Sequence, residues 1–197
     1  MIASILLSAG LSRRYGSPKA LAKLNGETVI ERLQKVVIQS PVEEMIVVLG
    51  ADADEIKPHL LNHNKIKFVY NKDYNLGQTS SFKAGLRSIS KWVKGILLIP
   101  VDHPFIQPGT IDLLIRYYLK HFPLIVLPAF EGRKGHPPLF SADLKEEFLA
   151  LDNGIGLNAI AHAHQNETVI LPVEDAGVIQ SFNTKEEFRD LRQQHPH

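Results

Sequence analysis

Leu7-Ser8-Ala9-Gly10-Leu11-Ser12-Arg13-Arg14-Tyr15-Gly16-Ser17-Pro18-Lys19 follows a short apolar run that begins at Ile2. The run does not alternate in polarity, so it reads as a strand buried on both faces. The composition then changes abruptly to glycines, serines and three cations, with no acid beside them. Glycine has no Cβ, so backbone N–H groups in such a loop can approach an anion closely. A solvated surface loop is the plain alternative. Three uncompensated cations within seven residues, at the end of a buried strand, favour a polyphosphate cradle. The loop has neither the GxxxxGK[ST] nor the GxGxxG spacing.

The rest of the chain sets bounds. At 197 residues it predicts a single domain over 1–197, which on folding buries ~70% of its unfolded surface. Net charge is +1, which excludes a general basic field for nucleic acid or membrane, so any anion site is local. With no cysteine there is no thiolate metal site and no cysteine nucleophile. That usage suits a reducing compartment, and a cytoplasmic location is expected. No stretch approaches the ~20 apolar residues of a membrane span.

Apolar runs recur at Met45–Leu49, Ile66–Tyr70, Gly95–Val101, Leu124–Leu127 and Thr168–Val173. Helical periodicity between them predicts helices from Thr28 to about Ser40, Asp52–Leu61, Phe82–Ile89, Ile111–Leu119 and Leu144–Leu149. Continuous β-runs alternating with helices argue for a three-layer α/β/α fold on a mostly parallel, Rossmann-like sheet. In such sheets ligands bind at the carboxyl ends of the strands. Asp102, just past the fourth of these β-runs, is a hard oxygen ligand suited to Mg²⁺ facing a polyphosphate. Gly77 and the hydroxyls after it, Thr79, Ser80 and Ser81, open a helix whose first N–H groups are free. Gly154–Ala159 matches G-x-G-x-x-A, but it follows a helix and not a strand, so no dinucleotide site is expected there. His162 and His164 fall on different helix faces and do not make a metal pair. Thr184, with Glu187 three residues on, predicts a capping box for a last helix.

The opening segment resembles the LAAGxSxRMG…K signature of nucleotidyltransferases with a nucleotide-diphospho-sugar-transferase fold, in the branch that includes molybdenum cofactor cytidylyltransferase. Leu7, Ala9, Gly10, Ser12, Arg14, Gly16 and Lys19 match, while Ser8 replaces Ala and Tyr15 replaces Met. Further matches are Gly77, Ser80, Ser81 and Gly85 in a GxxSSxxxG-like helix start, and Asp102 and Pro104 in Asp-Met-Pro, with His103 in place of Met. Gly132, Arg133, Gly135, His136, Pro137, Leu139 and Phe140 match a G-R-x-G-H-P-V-L-F element. Departures come late: Gly154 stands where the family has Asp, and Ser181 and Asn183 replace two carboxylates.

The resemblance implies a Mg²⁺-dependent transfer of NMP from a nucleoside triphosphate, CTP by this branch, to a phosphorylated, molybdopterin-like acceptor. It implies catalytic Arg14, Lys19 and Asp102, and nucleotide contacts from Leu7, Ser8, Ala9, Gly10, Ser12, Arg13, Asn71, Gly77, Ser80 and Ser81. Arg133, Gly135 and His136 would face the acceptor, and Asp102 and Asn183 the metal. His103 is expected to be a satisfied polar residue. A sugar-phosphate acceptor and a non-catalytic nucleotide binder remain open, whereas a dehydrogenase is disfavoured because no GxGxxG follows the first strand.

Overall fold

β1 (Ile2–Ser8) is buried along its whole length and lies between two parallel neighbours, which is why its sequence shows no polar alternation. The computed structural model describes residues 1–195. After β1 the chain forms a small hairpin, β2 (Lys23–Leu24) and β3 (Glu27–Thr28), then α1 (Val29–Ile38), β4 (Glu44–Leu49), α2 (Ala53–Ile56) and β5 (Ile66–Tyr70). α3 (Gln78–Ser88), β6 (Gly95–Pro100), α4 (Pro108–His121) and β7 (Ile125–Phe130) follow. The chain ends with β8 (Arg133–Lys134), β9 (Leu139–Ser141), α5 (Lys145–Ala150), α6 (Asn158–Ala163), β10 (Thr168–Pro172) and α7 (Lys185–Gln194).

The main sheet runs β10-β7-β9-β6-β1-β4-β5, with β8 attached to β7. β10, β7, β6, β1, β4 and β5 make the parallel pairs, while β9 is antiparallel to both β6 and β7. The side chains of β1 alternate between two apolar cores. Ile2 and Leu6 pack with Leu33 of α1, Leu114 of α4 and Phe188 of α7. Ala3, Ile5 and Leu7 pack with Phe82 of α3, Phe148 of α5 and Ile160 of α6. These are the three expected layers.

Several element bounds differ from expectation: α3 begins at Gln78 and not at Phe82, α4 at Pro108 and not at Ile111, and two further differences involve a proline. The helix expected over 52–61 is a single turn followed by a 3-10 turn at Lys57–His59, since Pro58 has no N–H to continue an α-helix. The strand expected to stop at Leu127 runs on to Phe130, through Pro128. The Pro128 carbonyl accepts from Gly135 N at 2.8 Å. The missing N–H of Pro128 would point to that same side. Pro128 lies opposite Gly135, one residue before the β8 pairing at 129–130 and past the β9 pairing at 125–126, so the one bond it cannot donate falls at the end of the β8 ladder.

The capping box expected at Thr184 is present, and Thr28, where α1 was expected to begin, forms a second one. Thr28 pairs with Glu31 and Thr184 with Glu187. His164 closes α6 and has one carboxylate at each ring nitrogen: Glu167 at 2.9 Å from Nδ1 and Glu147 at 2.8 Å from Nε2. Two acceptor carboxylates require both nitrogens to be protonated, and these hydrogen bonds, that to Glu167 first, raise its pKa. A raised folded-state pKa adds stability that is fully present below the unfolded value, about 6.5, and is lost as pH rises through the folded value. The Tm difference between wild type and His164→Gln should therefore be widest below about pH 6.5 and close as the pH rises further. Thermal melts across that range check this, and a difference that grew with pH would reverse the assignment.

Candidate active site

A cleft of about 460 Å³ opens at the carboxyl ends of β1 and β6, where the sheet topology places ligands. Leu7, Ser8 and Ala9 form its floor, the 10–19 loop one wall, and the start of α3 another. The loop is folded on itself. Ser12 is left-handed (φ 48°), and its carbonyl accepts from Tyr15 N at 2.9 Å and Gly16 N at 3.0 Å. Its Oγ accepts from Lys19 N at 3.2 Å. Tyr15 turns inward against Phe182 and Phe188, at ring-centroid distances of 5.3 and 6.1 Å. An aromatic anchor there serves the apolar role of the signature's methionine and ties the loop to the chain's last segment.

That tie brings Asn183 to the cleft. Phe182 N donates to the Asp102 carbonyl at 3.1 Å, setting the next residue beside the end of β6. Lys19 Nζ then donates to Asn183 Oδ1 at 2.9 Å and faces Asp102 Oδ2 at 3.4 Å. The other oxygen, Asp102 Oδ1, is 2.9 Å from His103 Nδ1. Burial pushes the Asp102 carboxyl up, but the His103 hydrogen bond and charge, with Lys19, outweigh it and hold the group below its ordinary value.

Among the described residues no three His, Asp or Glu side chains come together as a metal set. What exists is one carboxylate oxygen and one amide oxygen converging on the Lys19 ammonium. Two oxygens already aimed at a single cation fit one hard divalent ion whose remaining ligands come from phosphate and water.

Beyond Asp102, the His103 ring packs on His136 with centroids 4.5 Å apart. Burial first, then the nearby charge of His103, lowers the His136 pKa to about 4, so this imidazole is neutral at neutral pH. Its Nδ1 is buried and has no hydrogen-bond partner among the described residues. His136 and Gly135 line a second cavity, of about 480 Å³, between the β7–β9 part of the sheet and α6. A Cβ at Gly135 would meet the Val178 carbonyl oxygen at 2.3 Å, so this position admits only glycine. Gln78, the first residue of α3, lines both cavities and marks where they meet.

The structure therefore collects Leu7, Ser8, Ala9, Gly10, Ser12, Arg13, Lys19, Gly77, Ser81 and Asp102 around one cleft. Asn183 is joined to it through Lys19, and Gly135 and His136 lie next door. Arg13 is in the cleft lining, while Arg14 is exposed and outside it. Arg133 is exposed on β8, and Lys134 takes the cavity-lining position in its place. Asn71 and Ser80 line neither cavity. Asn71 Nδ2 donates to Ser80 Oγ at 3.0 Å and Ser81 Oγ at 3.1 Å, and its Oδ1 accepts from Asp73 N at 3.1 Å. Ser80 Oγ in turn lies 2.7 Å from the Asp73 carbonyl oxygen and 2.9 Å from that of Gly77. These groups pin the 71–77 loop to α3, so that Gly77, at φ 102° where other residues are strained, begins the helix with no side-chain cap. His103 and Gln78 are among the residues, with Lys134, that sequence reasoning did not single out at the site. No local pattern marks either one, since both acquire a role only through what packs beside them.

Residues 4–169 match the MobA-like NTP transferase domain, and the chain belongs to that family. A probable UDP-N-acetylglucosamine pyrophosphorylase of Acanthamoeba polyphaga mimivirus is 37% identical over 121 residues, 58% of this chain and 47% of that one. The chain thus spans about half the length of that viral relative. A probable molybdenum cofactor guanylyltransferase of Bacillus mycoides (strain KBAB4) is 31% identical over 153 residues, 76% of this chain and 72% of that one. The crystal structure of Rv0371c from Mycobacterium tuberculosis H37Rv superposes with a TM-score of 0.85 at 24% identity, covering 98% of this chain and 97% of that one. It shares the fold.

The Asn71 geometry gives a direct test of structural against ligand-contacting work. Removing a buried hydrogen-bonded side chain costs about 1–3 kcal/mol. Asn71→Ala is expected to lower stability by about 2 kcal/mol in denaturant melts. Ser81→Ala, which leaves the Asn71–Ser80 bond in place, should cost clearly less.

Proposed function

We propose that the protein transfers a nucleotidyl group, CMP from CTP, to the phosphate of a molybdopterin-like acceptor and releases pyrophosphate. The observation that carries this reading is the convergence of Lys19, Asp102 and Asn183 in a cleft that meets a second cavity at Gln78. One cavity takes the triphosphate and the other the acceptor, so the α-phosphorus would lie at their junction. An acceptor phosphate oxygen attacks that phosphorus, the new P–O bond forms, and the bond to the β-phosphate oxygen breaks. A phosphate dianion needs no general base, and catalysis is positioning plus stabilisation of charge. Lys19 leaves its two oxygen partners for the triphosphate, and the arginines of the loop neutralise the departing pyrophosphate. The free N–H groups at the start of α3 face the same charge. Mg²⁺, when bound, supplies further neutralisation of the phosphates, and Asp102 and Asn183 are the residues that would hold it.

A guanylyl reading is the second one, favoured by the molybdenum cofactor guanylyltransferases among the relatives. CTP rests on the resemblance of the Leu7–Lys19 and Gly132–Phe140 segments to the cytidylyl branch. A reaction with equal CTP and GTP, read as dinucleotide product, should give the cytidylyl product, and a guanylyl product would overturn CTP. A four-nucleotide panel scored for metal-dependent pyrophosphate release separates either enzyme from a non-catalytic binder.

Lys19→Ala should lose about two to three decades in rate, the effect of one preorganised charge worth roughly 3–4 kcal/mol. Arg14→Ala, at the signature's arginine, is expected to cost more than Arg13→Ala. The opposite order would hand that role to Arg13, the arginine that lines the cleft.

Because Lys19 already occupies the space between Asp102 and Asn183, a divalent ion gains little there until triphosphate draws the ammonium away. Nucleotide-free protein should bind Mg²⁺ weakly, and Asn183→Asp should lower the Mg²⁺ concentration for half-maximal rate. Tight metal binding by nucleotide-free wild type, or an active Asp102→Asn, would place the metal elsewhere.

A further inference from the structure

His103 stands where the family signature has methionine, and its ring is almost wholly enclosed, with the side chain 11% exposed. Nδ1 lies 2.9 Å from Asp102 Oδ1, on the opposite oxygen from the one that faces Lys19. Beside an ammonium, Asp102 is an ionised acceptor, so the proton of this bond belongs to Nδ1. The ring packs on His136 at 4.5 Å and 53°, which restricts its rotation. A carboxylate with one oxygen fixed in this way presents the other in a single orientation. Methionine has no N–H and could not do this.

We propose that His103 is a positioning residue, its Nδ1–H holding Asp102 with Oδ2 turned into the cleft toward the cation that accompanies the triphosphate. The inference rests on the nucleotidyltransferase reading and adds to it a residue that never touches substrate. Outer hydrogen bonds of this kind to a metal-ligating carboxylate are typically worth 10–100-fold in metal affinity. His103 also bridges the two cavities physically, since it touches Asp102 on one side and His136 on the other.

The test separates the hydrogen bond from the volume of the ring. Asparagine places an amide N–H close to where imidazole Nδ1 stood, whereas methionine keeps bulk and loses the donor. The Kd of the nucleotide that wins the competition above is measured by calorimetry with and without Mg²⁺, for wild type, His103→Asn and His103→Met. The gain in affinity on adding Mg²⁺ should survive in His103→Asn and fall about tenfold or more in His103→Met. The metal-free Kd should be the same in all three, which also reports an intact cleft. Should His103→Met fail that control, His103→Leu provides a second donor-free side chain. A full Mg²⁺ gain in the donor-free variant overturns the proposal, as does an equal loss in His103→Asn or a wild type with no Mg²⁺ gain. If wild type binds neither CTP nor GTP under any condition, the nucleotidyltransferase reading itself falls, and this inference with it.

Discussion

A half-buried carboxylate just past the end of a central strand imposes the main constraint on this protein. Partial burial penalises the charge of Asp102, and its partners outweigh that penalty. Lys19 and His103 are those partners, one on each oxygen. Lys19 reaches that point only if the 10–19 loop is folded, and the loop is folded because Tyr15 is buried against Phe182 and Phe188. The same aromatic cluster fixes Asn183, the second oxygen on the Lys19 ammonium. Three stretches far apart in the chain are thereby held at one position by charge and aromatic packing together.

The sheet explains why that position is a cleft. Parallel pairing sets the carboxyl ends of β1, β4, β5 and β6 along one edge, where each strand gives way to a loop. β9 then enters between β6 and β7 in the opposite sense, with β8 pairing to the far end of β7. The loop that joins β8 to β9 carries Gly135 and His136, and Gly135 N and His136 N are bonded to Pro128 and Val178. This antiparallel insertion places an imidazole against His103 and opens the second cavity beside the first. A wholly parallel sheet would have needed a crossover helix in that place.

Local chemistry was legible in the sequence wherever one stretch of chain completes it. The buried parallel strands announced themselves by unbroken apolar runs, and the capping box of the last helix by a threonine with a glutamate three residues on. Residues 154–159 form a turn leading into α6. Asp102 could be singled out because a carboxylate just past a buried strand has few structural reasons to be there. The element bounds around Pro58 and Pro128 were less legible. The effect of a proline depends on whether the N–H it lacks was needed, and for Pro128 that depends on where β8 and β9 pair.

By itself, then, the sequence determined the layered α/β architecture, the cationic, glycine-containing loop after the first strand and the acidic residue opposite it. These follow from periodicity, glycine placement and the sign of charge, all of which act over a few residues. Tertiary structure alone decided which polar groups face the cleft and which are spent on the fold. Asn71 and Ser80 carry the right chemistry for a ligand, yet they hydrogen-bond to each other, to Ser81 and to nearby backbone. His103 has no motif, yet it holds the central carboxylate. The physical reason is that a hydrogen-bonding side chain has no role until its partner is in place, and here the partners arrive from distant parts of the chain.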